Sequence, residues 1–162
     1  MRTPSPYRSL PAEKRVALVM RDIDSSPASK ERYVRLVVAR GGGFRLETVR
    51  KRSSEQLAKE VVRYGLETSH DEFGLLQALY VELEPGLQVE FLDAAGVTHE
   101  AGIIADDLEP PFADASKVRD AAHALYQAHG EDARRYLRTI ALYNGDAWLG
   151  LGDVLGELPD GA

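Results

Sequence analysis

Residues 69–104, SHDEFGLLQALYVELEPGLQVEFLDAAGVTHEAGII, decide the fold class of this chain, because they join its most apolar segment to its most acidic one. Ser69 followed by Glu72 has the spacing of a capping box, and His70 and Asp71 then sit in a first turn near the positive end of the helix dipole. Downstream, Phe73, Leu75, Leu76, Leu79, Tyr80, Val81 and Leu83 point in nearly every direction at about 100° per residue, the pattern of a helix buried on all sides. Phe73 to Leu83 are therefore expected at the centre of the core. Gly74 inside the run costs roughly 1 kcal/mol against alanine unless a neighbouring helix needs close approach. Glu84-Pro85-Gly86 ends it.

The second half of the stretch has two readings. Leu87, Val89 and Phe91 alternate with Gln88 and Glu90 like a strand, whereas Leu87, Phe91, Ala94 and Ala95 fit one helical face. In the strand reading, Leu87–Leu92 and Val97–Ile104 form a hairpin around Asp93-Ala94-Ala95-Gly96, and the fold is α+β with a small β-hairpin at 87–104. In the helical reading the segment stops at Gly96, a suitable residue just past a helix end. The alanines and the helical neighbours favour helix, so the expected fold is all-α: a single-domain bundle of about six to eight helices.

Working outward, Pro11 to Ile23 is amphipathic, with Val16, Val19, Met20 and Ile23 on one side. Ser26-Pro27 is an N-cap followed by proline at the first helical position, and it opens a helix carrying Tyr33, Leu36 and Val37 that Gly41-Gly42-Gly43 ends. Tyr33–Val38 and Phe44–Val49 also carry a strand-like pattern around those glycines, but Pro27 to Glu31 is the stronger start signal. Ser53 with Gln56 offers a capping box for a helix burying Leu57, Val61 and Val62, closed by Gly65. Beyond residue 104, Asp106 to Ala113 is a loop, and a helix capped by Asp114 or Ser116 runs to Gly130. A further helix runs from Glu131 to Asn144-Gly145. A last one, capped by Asp146, carries Trp148, Leu151, Val154, Leu155 and Leu158. Residues 1–10 read as a flexible tail and 11–158 as the domain, with 106–113 as the place for a hinge if there are two subdomains.

A chain of 162 residues without cysteine excludes disulfides, thiolate metal sites and cysteine nucleophiles. Its apolar runs are too short for a membrane span, so the expectation is a soluble cytoplasmic protein, and 15 Arg against 5 Lys suits a GC-rich bacterial genome. The net charge of −6 conceals an asymmetry: residues 1–65 carry 15 Lys/Arg against 7 Asp/Glu, a balance of +8, and residues 66–162 carry 5 against 19, a balance of −14. From Leu66 to Asp114 there are twelve acidic residues and neither lysine nor arginine. Such a split suits a basic face for an acidic partner, an acidic face for a basic one, or two halves that pair internally.

Candidate chemistry is sparse. His70, Glu72, His99 and Glu100 are the residue types that bind zinc, manganese or iron or act as acid and base, yet no HExxH and no histidines four apart occur. GxSxG and the Walker lysine are absent too. No cofactor is expected. The expected function is a non-enzymatic interaction or regulatory module whose partner is another protein, with no membrane. Arg45, Arg50, Lys51 and Arg52 are its basic contacts, and Glu82, Glu84, Glu90 and Asp93 its acidic ones. A metal-assisted or acid–base enzyme around His70 and His99 is one alternative. Nucleic-acid binding through the basic N-terminal half is another, disfavoured because His70, Asp71 and Glu72 would sit where a recognition helix meets phosphates.

Overall fold

A computed structural model describes residues 4–41, 43–66 and 68–159. The protein is all-α: among these residues nine α-helices account for most of the chain, and the β structure is one two-stranded antiparallel ribbon. No described helix is long and apolar enough to cross a membrane. The contacts divide the chain into two compact units, Met1–Leu76 and Gln77–Ala162. The division thus falls inside the run expected to form the centre of a single core, and the loop 106–113 lies within the second unit.

The first unit contains α1 (Ala12–Ser25), α2 (Pro27–Arg40), the short α3 (Leu46–Arg50), α4 (Ser54–Tyr64) and most of α5 (Ser69–Gln77). α2 begins as its sequence dictates: the Ser26 hydroxyl accepts from the Ser29 N–H at 3.0 Å, and Pro27 loses no bond by lacking its own N–H. The Tyr33–Val38 and Phe44–Val49 hairpin alternative is excluded, since the first segment is α2 and the second leads into α3. Gly41 caps α2, while Gly42 lies outside the described residues, as do Met1 to Thr3 of the expected tail. Ser53 and Gln56 form the expected capping box of α4. α1, α2 and α4 close on one another around Leu18, Val19, Ile23, Val34, Val37, Leu57 and Val61, all buried, joined by Tyr7 and Leu10 from the residues read as tail.

At α5 the cap is one residue earlier than expected. Thr68 Oγ1 accepts from the Asp71 N–H at 3.2 Å and Asp71 Oδ2 accepts from the Thr68 N–H at 3.2 Å, so the box is Thr68–Asp71 rather than Ser69–Glu72. The shift turns Glu72 inward, where it is buried and accepts from Arg8 Nε at 3.3 Å.

The second unit begins with a π-helix, Ala78–Leu83, closed by the Glu84 N–H donating to the Leu79 carbonyl at 2.7 Å. It continues through α6 (Gly86–Ala94), β1 (His99–Glu100), β2 (Ile103–Ile104), α7 (Ala115–His129), α8 (Glu131–Asn144), a 3₁₀ turn (Gly145–Ala147) and α9 (Leu151–Glu157). Leu79 and Tyr80 are buried as expected, whereas Leu83 is 46% exposed, so the apolar run is not buried on all sides. The helical reading of 87–96 holds. Gly96 takes φ +72°, its N–H reaches the Asp93 carbonyl and the Val97 N–H the Leu92 carbonyl, a Schellman ending with Val97 and Leu92 both buried.

The hairpin alternative fails in its first strand, which is α6, while its second folds on itself: His99 pairs with Ile104 and Glu100 with Ile103 around Ala101-Gly102. Asp146 does not cap the last helix; it lies in the 3₁₀ turn, and α9 starts after Gly150 in the left-handed conformation. Edge-to-face aromatic contacts run through this unit's core, Tyr80 to Tyr136 at 5.2 Å, Tyr136 to Phe91 at 6.0 Å and Phe91 to Trp148 at 5.0 Å, with Phe112 against Trp148 at 5.5 Å.

Candidate functional site

The helical period of α2 sorts its residues into two faces. Tyr33, Val34 and Val37 turn inward, and Arg32, Arg35, Ala39 and Arg40 are exposed with Leu36 half-buried between them. Together with Tyr33 and with Asp71 of α5 they line a groove of about 320 Å³. Its lining combines the apolar Leu36 and Ala39 with three arginines. Arg32 is fixed in place, its Nη2 donating to Asp22 at 2.9 Å and its Nη1 to Asp71 at 2.8 Å, with the guanidinium 4.7 Å above the Tyr33 ring. The Tyr33 hydroxyl donates to the same Asp22 carboxylate at 2.6 Å, and burial, then that neighbour, pushes its pKa far above the ordinary phenol value. Arg35 and Arg40 are held more loosely: Arg35 Nε is 3.5 Å from Glu31, and Arg40 Nη1 donates to the Tyr64 carbonyl at 3.4 Å. Their donors are the ones a ligand can recruit.

The basic residues picked from sequence separate into two pairs. Arg50 donates to both carboxylate oxygens of Glu31, at 2.7 and 3.2 Å, and to Glu47 at 2.7 Å. These bonds hold Glu31 below the ordinary carboxylate range and raise Arg50 further. Arg52 pairs with Glu60 and stacks 4.6 Å over the Phe44 ring. Both are therefore committed inside the first unit. Arg45 and Lys51 are exposed and make no ion pair among the described residues.

Of the acidic picks, Glu90 and Asp93 lie about one turn apart on α6, and each faces a histidine: Glu90 meets His129 Nε2 at 2.6 Å, and Asp93 meets His99 Nε2 at 2.6 Å. Glu82 and Glu84 are exposed at the end of the π-helix, where each has interactions of its own. His99 also accepts at Nδ1 from the Gly102 N–H at 2.9 Å, which places its ring proton on Nε2 toward Asp93. With both nitrogens engaged, the imidazole ties the hairpin to α6, and Gln88 Nε2 adds a bond to the Gly102 carbonyl at 2.5 Å. His70 is exposed at the start of α5, Glu72 is spent on Arg8, and Glu100 is exposed on β1. Among the described residues no three histidines or carboxylates converge as a metal site.

One exposed segment has no place among those residues. Ile103 is 61% and Leu108 40% exposed, and between and beside them Asp106, Asp107 and Glu109 are exposed and make no ion pair among the described residues. The run of acids without lysine or arginine was legible in sequence; the exposure of the two apolar side chains was not, because isoleucine and leucine ordinarily signal a core. The chain shows no match to a protein-family model, to a curated protein or to a solved structure.

Proposed function

We propose that this protein is a non-enzymatic interaction module acting in the cytoplasm, and that the α2 groove of its first unit takes an acidic, partly apolar segment of a partner protein. The observation that carries the reading is that Arg35 and Arg40 line one groove with Leu36 and Ala39, together with an already satisfied Arg32. Charge supports it. Residues 1–76 hold 15 Lys/Arg against 10 Asp/Glu, a balance of +5, and residues 77–162 hold 5 against 16, a balance of −11. In the first unit many of the acids are engaged in local pairs, which leaves Arg40, Arg45 and Lys51, among others, without an ion pair among the described residues and Arg35 on a longer contact with Glu31.

A carboxylate-bearing peptide suits the groove better than a phosphate backbone. Leu36 and Ala39 offer apolar contact that a nucleic-acid backbone does not use, and Asp71 is already paired with Arg32. Fluorescence anisotropy with a labelled Glu/Leu peptide tests this. Binding should fall steeply with salt, drop at least tenfold in Arg35→Ala/Arg40→Ala, and vanish for a Gln/Leu control. Equal binding of the Gln/Leu peptide, or tighter binding of a single-stranded oligonucleotide, would overturn it.

A further inference from the structure

We infer that the occupant of the α2 groove is a second copy of this chain, which inserts its exposed acidic–apolar segment Ile103 to Glu109. This inference rests on the groove reading above and names the partner.

The two surfaces match in three respects. Charge is complementary: Arg35 and Arg40 carry recruitable donors, and Asp106, Asp107 and Glu109 present carboxylates with no ion pair among the described residues. Spacing is compatible, since five residues of helix separate Arg35 from Arg40 by a rise of about 7.5 Å, while Asp106 and Asp107 form a turn closed by the Leu108 N–H on the Ala105 carbonyl at 3.1 Å, which keeps Asp106 and Glu109 less than about 10 Å apart. Apolar contact agrees as well. Leu108, set between the acidic residues, has Leu36 and Ala39 to meet, and Ile103, 61% exposed on β2, extends the apolar edge. An aliphatic side chain that exposed has unmet hydrophobic surface that a partner can bury.

The segment is also presented firmly. β1 and β2 are pinned to α6 through His99–Asp93 and Gln88–Gly102, and the Leu108 N–H closes a turn on the Ala105 carbonyl at 3.1 Å, which reduces the ordering entropy lost on docking. Groove and segment are different surfaces, so two copies either exchange segments reciprocally about a two-fold axis or add head to tail, closing into a ring or growing as a chain. A footprint of one groove and one seven-residue segment is below the size of a stable interface, so the association is weak and reversible.

Sedimentation velocity on the full chain, across a roughly hundredfold range of concentration, tests the inference. At about 0.01 M ionic strength the sedimentation coefficient should rise with concentration, and at about 1 M, where the Debye length shrinks from roughly 30 Å to roughly 3 Å, it should stay at the monomer value. Arg35→Glu/Arg40→Glu should be monomeric throughout, and so should Asp106→Lys/Asp107→Lys/Glu109→Lys. An equimolar mixture of these two variants should regain the association that each lacks, because the reversed groove of one meets the reversed segment of the other. The segment variant alters exposed residues without ion pairs, so it reports even if the groove variant fails to fold.

A protein monomeric at low salt at every concentration, or a mixture that does not associate, overturns the inference. If that protein still binds the Glu/Leu peptide through Arg35 and Arg40, the groove reading stands and only the identity of the partner falls. If it binds neither, both fall.

Discussion

The two units of this chain solve the same packing problem with different materials. The first unit closes three helices around leucine, isoleucine and valine, with Tyr7 and Tyr33 also buried, and several of its arginines are bridged by its own acids, as in Arg32 with Asp22 and Asp71 or Arg50 with Glu31 and Glu47. The second strings Tyr80, Tyr136, Phe91, Trp148 and Phe112 into a chain of ring contacts, leaves an excess of carboxylates at its surface, and carries every large apolar residue found exposed among the described residues: Leu83, Ile103, Leu108, Leu142 and Leu149. The first unit pairs many of its charges internally and keeps a positive excess, part of which lines the α2 groove. The second keeps carboxylates and several large apolar residues at its surface. Complementarity of this kind is what the proposed self-association uses.

That contrast can be broken experimentally, starting with the cores. Tyr136 touches two other rings and is 1% exposed, so Tyr136→Ala should cost about 3–5 kcal/mol in urea unfolding. A loss below about 1 kcal/mol would show that the ring contacts do not organise the second unit. Leu57→Ala in the first unit removes a fully buried aliphatic side chain and should cost about 2–5 kcal/mol by the same measurement, toward the low end where the surrounding aliphatics can collapse into the space. Ser53→Ala removes the accepting half of the α4 capping box, and its expected cost is about 1 kcal/mol.

The hairpin tip sharpens the comparison in the opposite direction. Ala101 takes φ +51° and Gly102 φ +88°, the geometry of a two-residue turn that favours Asn-Gly. Ala101→Asn should therefore stabilise the protein by about 0.5–1 kcal/mol, read as a raised urea midpoint, and an unchanged midpoint would show that the alanine sits there without strain.

The smallest effect concerns acid. Glu31 and Glu55 of the first unit and Glu157 of the second have carboxyl pKa values lowered from 4.5, first by hydrogen bonds from Arg50, Lys59 and Arg119 respectively. A carboxyl that binds its proton less readily folded than unfolded stabilises the fold above its unfolded pKa, and that contribution is lost as pH falls through its folded pKa. The melting temperature should thus hold across neutral pH and decline below about pH 4.5, with a shallower decline in Arg50→Ala. Glu55 and Glu157 are exposed and Glu31 is half-buried at the surface, so the decline from them is slight.

Much of the architecture is legible in local chemistry. Ser26-Pro27, Ser53 with Gln56, Asp114 and Gly96 mark helix ends, because caps depend on side chains reaching backbone groups a few residues away. At Thr68–Asp71 two overlapping capping boxes compete, and the one formed lets Asp71 meet Arg32 while Glu72 meets Arg8. Sequence spacing cannot rank them. The candidate site follows the same rule. Arg50 and Arg52 look like Arg45 and Lys51 in a sequence, and only their distances to Glu31 and Glu60 separate committed cations from exposed ones. His99 looks like a ligand until both ring nitrogens are traced to Asp93 and Gly102.

The sequence by itself determined that the protein is helical, where most of its helices begin and end, and that its charges divide along the chain, since propensity, capping and composition are local properties. The tertiary structure decided that the apolar run at 73–83 spans a boundary rather than filling one centre, that α2 displays a groove, and that Ile103 and Leu108 face outward. Those facts depend on residues far apart in the chain competing for the same partners and the same buried space, and no local pattern records the outcome of that competition.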